Sequence, residues 1–286
     1  MKTKKKKGMS STIIIVLVLI AGLSLLLYPS VSDYWNSFHS SVAIADYSKV
    51  VSDISEEEYD KLLSAAQSYN NKISEKDNIF YLDDEQKKEY NELLNITGTG
   101  IMGYIEIPNI KISIPVYHGT SEATLQIAIG HLEWSSLPVG GKSTHCVLSG
   151  HRGLPSAKLF TDLDKLVVGD VFVMRVLDDA YTYEVDKIMI VEPDETDDLV
   201  VIEGGDYCTL VTCTPYGINS HRLLVRGHRI ENLESSKTVR VTADALQIEP
   251  MLIAPIVAIP MLLALLLYIL FKPKKKKTKY SFEDGI

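Results

Sequence analysis

The chain has 286 residues, of which 46% are hydrophobic, and its formal net charge at pH 7 is −8 because 37 acidic residues outnumber 29 basic ones. This length and composition are enough for one large or two small domains with a hydrophobic core. The excess of acids argues against a nucleic-acid partner, since phosphate backbones are recognised by Lys and Arg.

Two long apolar segments lie near the ends of the chain. Residues 12–28 carry no charge and follow five lysines, and residues 251–271 carry no charge and precede six lysines. Both segments have about the length of a membrane-spanning helix, and lysines at their far ends place both termini in the cytoplasm. The sequence therefore predicts a basic tail at 1–11, an uncleaved membrane anchor at 12–28, a second transmembrane helix at 251–271 and a basic tail at 272–286.

The segment between the two spans is predicted to lie outside the cell. The tails hold 11 of the 29 Lys and Arg but only two of the 37 acids, which leaves 18 basic and 35 acidic residues outside. So acidic an ectodomain is unsuited to an anionic membrane surface. Its three Cys residues are an odd number, so at least one thiol is unpaired.

Helical patterns occupy much of residues 29–99. Residues 31–51 are mixed and weakly patterned, but Ser55 and Glu58 then have the spacing of a capping box, and apolar residues follow at steps of three and four. A second helix is predicted to start near Asp83 or Asp84. We expect these helices to pack on the domain that follows and to hold it off its anchor.

Short β-strands are predicted from residue 100 onward, where apolar residues alternate with polar ones between turns rich in Gly and Asp. Two strands are expected within residues 105–116. Further strands are predicted at His145–Leu148, Val171–Val176, Tyr181–Val185, Lys187–Val191, Tyr207–Thr212 and Arg222–Gly227. Eight or so short strands at this spacing predict a mainly β domain, either a closed barrel or a sandwich.

Residues 209–229 are predicted to form a strand, a tight loop and a second strand, with Cys213 ending the first strand and Arg222 opening the second. Three interpretations of Cys213 stay open. The first is a buried structural Cys, which is a common role of free Cys. The second is a zinc ligand, together with the other Cys and two His of this region, although their spacing does not match Cys2His2 sites. The third is a nucleophile, for which Arg222 supplies a permanent positive charge beside the thiolate.

Three motifs carry a family resemblance. They are Ser-Gly-His-Arg-Gly-Leu-Pro at 149–155, Thr-Leu-Val-Thr-Cys at 209–213 and His-Arg-Leu-Leu-Val-Arg-Gly at 221–227. Together they resemble the sortases, cysteine transpeptidases of Gram-positive bacteria, and most closely the class C or pilin-polymerising group. The resemblance implies a sortase-like closed β-barrel as the catalytic domain at 100–232, followed by a linker at 233–250.

The same resemblance implies His151, Cys213 and Arg222 as catalytic residues, with no cofactor and no metal. Cys213 would attack the carbonyl between Thr and Gly of a Leu-Pro-x-Thr-Gly-like sorting signal, His151 would move protons, and Arg222 would stabilise the oxyanion. The implied partners are the membrane and proteins that carry a sorting signal. The amine that resolves the thioacyl enzyme is a pilin Lys in the pilin-polymerising group.

Two alternatives to pilus assembly remain. One is a sortase that anchors surface proteins to the cell wall. The other belongs to a different class and is a non-enzymatic, membrane-tethered β-domain that binds a metal or a partner.

Class C sortases also carry a lid over the active site, usually built on an Asp-Pro-aromatic motif. Residues 78–84 contain aromatic and acidic residues, but they lack Pro and have the reverse order. The candidate lid contacts are Phe80, Tyr81 and Asp83.

The resemblance further implies that the strands before His151 and Cys213 run parallel and side by side. Cys146 and Cys208 each lie five residues before one of these catalytic residues. We therefore expect their two thiols to be close together, with a disulfide between them as a further hypothesis.

Overall fold

The computed structural model describes residues 6–75 and 80–232. The predicted second span at 251–271, the linker at 233–250 and the tail at 272–286 lie outside the described residues, as do the first five residues of the tail at 1–11. From Val31 onward the described chain belongs to a compact unit separate from residues 6–30.

Helices precede the β-domain, as predicted. They are α1 (Lys6–Asp53), α2 (Glu56–Ser74) and α3 (Asp84–Glu92), and a short α4 (Glu122–Leu125) follows later in the chain. Among the described residues, α1 is the one helix long and apolar enough to cross a membrane.

Helix α1 continues well beyond the predicted anchor and includes residues 31–51, which the sequence left without a defined element. Tyr47 explains much of this extension, because its side chain is buried against the β-domain. Its hydroxyl donates to the carbonyl oxygen of Met102 at 3.1 Å and accepts from the N–H of Leu177 at 2.7 Å. Tertiary contacts thus keep this segment helical where its sequence pattern is weak.

Helices α2 and α3 start where predicted, but the capping box forms at α3 and not at α2. The Ser55 hydroxyl accepts from the N–H of Glu58 at 3.2 Å and so caps α2. A full capping box forms at α3, where the side chains of Asp83 and Gln86 each accept from the other residue's N–H.

Eight strands close into a barrel in the order β1-β2-β3-β4-β7-β8-β6-β5. They are β1 (Ile101–Ile107), β2 (Ile112–His118), β3 (Ile129–His131), β4 (Thr144–Ser149), β5 (Val171–Val176), β6 (Asp179–Val191), β7 (Asp206–Thr214) and β8 (His221–Arg229). Short 3-10 turns occur at Pro108–Ile110, Leu163–Lys165 and Asp197–Leu199. Strands β4 and β7 are parallel, as are β2 and β3, and the other neighbours are antiparallel. The predicted mainly β barrel with N-terminal helices is confirmed.

Two details of the strand prediction are wrong. The strands predicted at Tyr181–Val185 and Lys187–Val191 form one continuous strand, β6, whose register against β8 shifts at a bulge between Val185 and Lys187. Strand β3 was not predicted, because its three residues are too few to show an alternating pattern.

Alternate residues of β4 and β7 face opposite sides of the barrel wall. Cys146, Leu148, Cys208 and Leu210 are buried in the main core. Val147, between Cys146 and Leu148, instead belongs to a second apolar cluster on the outer face of the wall, together with Leu199 and Leu224.

A buried histidine bonds α3 to the barrel. His131 is fully buried, with Nδ1 3.0 Å from the Tyr90 hydroxyl and Nε2 2.8 Å from the carbonyl oxygen of Ser136. Burial disfavours the charged imidazolium and lowers the pKa of His131 to about 3.

We expect the stability of the fold to fall as the pH drops from about 6.5 towards 3. The unfolded chain binds a proton at His131 below its ordinary pKa of about 6.5, whereas the folded chain does not, so acid favours unfolding by on the order of a few kcal/mol. Thermal unfolding at pH 7, 5 and 4 measures the effect. His131→Gln should flatten the pH dependence, and His39→Gln, which alters an exposed histidine, should not. Equal curves for His131→Gln and the parent chain would contradict this origin.

Candidate active site

The structure brings His151, Cys213 and Arg222 to the same end of three adjacent strands. Cys213 on β7 is the direct cross-strand partner of Arg222 on β8. On the other side of β7, the last pair with β4 is Ser149 with Val211. His151 and Cys213 each lie two residues beyond a member of that pair, which places the two residues at the same end of the barrel.

Cys213 differs from the other two Cys residues in its exposure. Cys213 is half-buried at the strand end, whereas Cys146 and Cys208 are 3% and 0% exposed in the core, and all three are free thiols. The odd separation between Cys208 and Cys213 places their side chains on opposite faces of β7. The structural interpretation therefore fits Cys146 and Cys208, and the nucleophile interpretation fits Cys213.

The predicted proximity of Cys146 and Cys208 is confirmed. The two are direct partners in the parallel pairing of β4 and β7, and both are free, buried thiols. Burial raises the pKa of Cys146 well above its ordinary value, with the Cys208 contact adding to the shift. Such a neutral, buried thiol is a poor nucleophile.

The guanidinium of Arg222 is available to an anion. Its Nη1 donates to the carbonyl oxygens of Asn219 at 3.3 Å and His221 at 3.1 Å. Within residues 6–75 and 80–232, no carboxylate forms an ion pair with it. Neutral carbonyls orient the guanidinium without cancelling its charge.

His221 lies next to Arg222 but faces away from the site, as strand alternation predicts. Its Nε2 lies 3.2 Å from Glu192, and its Nδ1 lies 2.8 Å from the Ser220 hydroxyl. His118 and His145 likewise bond to backbone carbonyls, namely those of Gly100, Leu93 and Val200, and burial lowers the pKa of both imidazoles. These contacts give the three histidines structural roles.

The candidate lid residues are placed in three different ways. The Phe80 ring meets the Trp134 ring edge-on, with 4.8 Å between the centroids. Tyr81 is 69% exposed, and Asp83 caps α3. A lid contact therefore remains a prediction, and Phe80 is the residue whose placement supports it best.

Sequence reasoning missed the apolar surface beside the site. Trp134 packs against the cluster of Val147, Leu199 and Leu224, of which Val147 on β4 and Leu224 on β8 lie on the same outer face of the wall as Cys213 and Arg222. Val147 is paired with Thr209, and Leu224 with Val211, so both alternate in step with Cys213. Trp134 lies in a segment without a periodic apolar pattern. The one feature of the sequence that could have drawn attention to it is that the chain has only two tryptophans.

Comparisons with known proteins agree with this geometry. Residues 105–230 match the family model of the sortase domain. Sortase C1 from Streptococcus agalactiae is 53% identical with a TM-score of 0.65, and the match covers 67% of this chain and 99% of that structure. Sortase C from Streptococcus pneumoniae, described for its catalysis and pilin substrate specificity, is 45% identical with a TM-score of 0.61, covering 66% and 97%.

A more distant relative is sortase D from Bacillus subtilis (strain 168), which is 30% identical over 131 residues, or 45% of this chain and 63% of that protein. The chain thus spans less than two thirds of the length of two of these curated relatives, at 63% for sortase D and 59% for sortase A from Bacillus anthracis. The near-complete coverage of the streptococcal structures, together with the motifs and the barrel, shows that the chain belongs to the sortase family, in its class C group.

Proposed function

We propose that this protein is a cysteine transpeptidase that cleaves a Leu-Pro-x-Thr-Gly-like sorting signal between Thr and Gly and joins the new acyl group to a pilin Lys. One observation carries the proposal. Cys213 is paired with Arg222 across β7 and β8, and His151 follows the end of the neighbouring strand β4 by two residues, as Cys213 follows Val211.

In the first half of the reaction, the Cys213 thiolate attacks the Thr carbonyl carbon and forms a tetrahedral oxyanion. The C–N bond to Gly then breaks, and the His151 imidazolium donates a proton to the leaving amine. The product is a thioester between Cys213 and the Thr of the signal, with a neutral His151.

In the second half, the Lys amine attacks the thioester carbon while His151 accepts the proton that the amine loses. The C–S bond breaks, the Cys213 thiolate is released, and an amide joins the two proteins. The thiolate and imidazolium are both restored, so the cycle needs no cofactor.

Arg222 has the position and the charge to stabilise both oxyanions. It sits directly across from the sulfur, and its guanidinium is oriented by carbonyls rather than neutralised by an acid. A fixed cation at the point where negative charge develops stabilises the transition state more than the ground state.

The apolar part of helix α1 supports a location in the cell membrane. We infer that α1 anchors the enzyme in the cell membrane and that the second span at 251–271 returns the chain, with the barrel outside and both termini in the cytoplasm. Tyr34, Trp35 and Phe38 of α1 are exposed and lie just beyond the predicted anchor. Aromatic residues at this position are typical of the boundary between the lipid core and the head groups.

We also propose that Phe80 is part of a lid. It packs on Trp134, which belongs to the apolar surface beside Cys213. Phe80→Ala is expected to raise the rate at which Cys213 reacts with a methanethiosulfonate reagent by a factor of ~3 to 10, because a contact worth about 1 kcal/mol closes the site. Tyr81→Ala, at the exposed neighbouring ring, should change this rate less than twofold. Equal rates in all three proteins would contradict a lid at Phe80.

The full chain in detergent, incubated with purified candidate pilins, tests the proposed function. Transpeptidation to a pilin Lys produces a ladder of polymers that survives boiling in detergent, and mass spectrometry locates the Thr–Lys amide. Transfer to a cell-wall amine without a ladder would instead indicate an anchoring sortase. Absence of both products, with intact sorting signals, would leave only a tethered binding domain.

A further inference from the structure

The two strands that carry His151 and Cys213 lose their regular pairing just before these residues. The last paired residues of β4 and β7 are Ser149 and Val211. One step further, the Gly150 N–H donates to Val211 at 3.1 Å, and the Thr212 hydroxyl donates to the Gly150 carbonyl at 2.7 Å.

A second cross-link follows on the far side of the catalytic pair. Nη1 of Arg152 donates to the Thr214 hydroxyl at 3.2 Å. His151 and Cys213 therefore lie between two side-chain bonds, one from residue 212 to 150 and the other from residue 152 to 214.

Arg152 is itself firmly held. Its side chain is 10% exposed and forms an ion pair with Asp164, and its guanidinium carbon lies 5.9 Å from the centre of the Tyr216 ring. Gly153 allows that ring to come close, since a Cβ atom there would lie 2.8 Å from it, and its φ of +76° is one that favours glycine. An Arg anchored in this way resists displacement more than a solvent-exposed one would.

We propose that Arg152 is a positioning residue that fixes the distance between the His151 imidazole and the Cys213 sulfur, a role that rests on the proposed function. It acts through Thr214 and Asp164 rather than on the substrate. A misplacement of about 1 Å between reacting groups lowers an enzyme's rate by about 10²-fold. Without Arg152, the segments that carry His151 and Cys213 would keep the bond between Thr212 and Gly150 but lose the bond on the far side of the catalytic pair.

The chain offers a closely matched control in Arg226. This arginine is 15% exposed, bonds Asp186 at 3.0 and 2.8 Å, and lies 4.6 Å from the centre of the Tyr207 ring. Its partner on β7 is Thr209, so this pair lies four residues along the strands from the pair of Cys213 and Arg222. Removing either guanidinium breaks one ion pair and one contact with a Tyr ring, but of the two arginines only Arg152 links the ends of the strands that carry His151 and Cys213.

The kinetic test compares Arg152→Met, Arg152→Lys and Arg226→Met in the full chain. For cleavage of a sorting-signal peptide we expect Arg152→Met to lower kcat by ~10- to 100-fold with KM changed less than twofold. Arg152→Lys should recover part of the loss, and Arg226→Met should keep kcat within about threefold despite a similar fall in Tm. An equal loss of kcat in the two Met variants would assign Arg152 a merely structural role and overturn the proposal.

A second readout does not depend on the enzyme reaction. In His151→Cys, the new thiol follows Ser149 by two residues, as Cys213 follows Val211, and neighbouring strands are about 5 Å apart, a separation that suits a disulfide. We expect oxidised glutathione to form that disulfide readily in His151→Cys. Adding Arg152→Met should lower the rate of disulfide formation at least tenfold, and adding Arg226→Met should leave it unchanged. If this pattern holds while the parent chain cleaves no signal, the proposed function fails and the positional claim stands. If the rates are equal, Arg152 does not set the distance.

Discussion

Replacing Cys213 with Ala is expected to abolish cleavage of a sorting-signal peptide, because no other described thiol can form the thioacyl bond. Cys146 and Cys208 are buried in the core, and the odd separation along β7 points Cys208 away from the site. We expect the rate to fall by at least about 10⁴-fold, which is typical of removing a covalent nucleophile. The rate of cleavage is measured by chromatography of the peptide products.

Two neighbouring substitutions serve as controls. Cys146→Ala and Cys208→Ala each leave a small cavity in the core and should lower Tm while retaining activity. If these two variants fold but lose activity while Cys213→Ala retains it, the nucleophile has been misassigned.

Replacing Arg222 with Ala should lower kcat by ~10²- to 10³-fold, the usual effect of removing one oxyanion stabiliser. Arg222→Lys keeps a cation but loses the planar fork that the two backbone carbonyls orient, so we expect it to recover only part of the rate. Single-turnover measurements of thioacyl formation separate this step from its resolution by the amine.

His221→Ala is the matched control for Arg222, because it changes the adjacent residue, whose side chain bonds Glu192 instead. It should leave thioacyl formation within about threefold of the parent rate. If His221→Ala were as damaging as Arg222→Ala, a general disturbance of the β7–β8 loop would explain both results, and the role of Arg222 in charge stabilisation would be contradicted.

Most of the strands were predictable because they are marked in the sequence by alternating apolar residues and by turns of Gly and Asp, whereas the resemblance to sortases was needed to choose a barrel over a sandwich. The pairing of Cys213 with Arg222 was also within reach, since a short loop between two strands brings their adjacent ends together. Likewise, the five-residue offsets that place Cys146 beside Cys208 follow once β4 and β7 are taken as parallel.

Other features left no periodic signal. Strand β3 is too short, and helix α1 extends through residues 31–51 because of long-range contacts such as that of Tyr47 with Met102. The bond from Arg152 to Thr214 joins residues 62 positions apart. Such contacts depend on the folded arrangement of the strands and not on any local pattern, so they become visible only in the structure.

The central claim is that one accessible sulfur, placed beside His151 and Arg222, carries the acyl group. Intact-mass analysis of the full chain, quenched in acid after mixing with a sorting-signal peptide and no acceptor amine, tests it most directly. We predict a single acyl adduct that tryptic mapping places on Cys213. An adduct on Cys146 or Cys208, or cleavage of the peptide without any adduct, would contradict it.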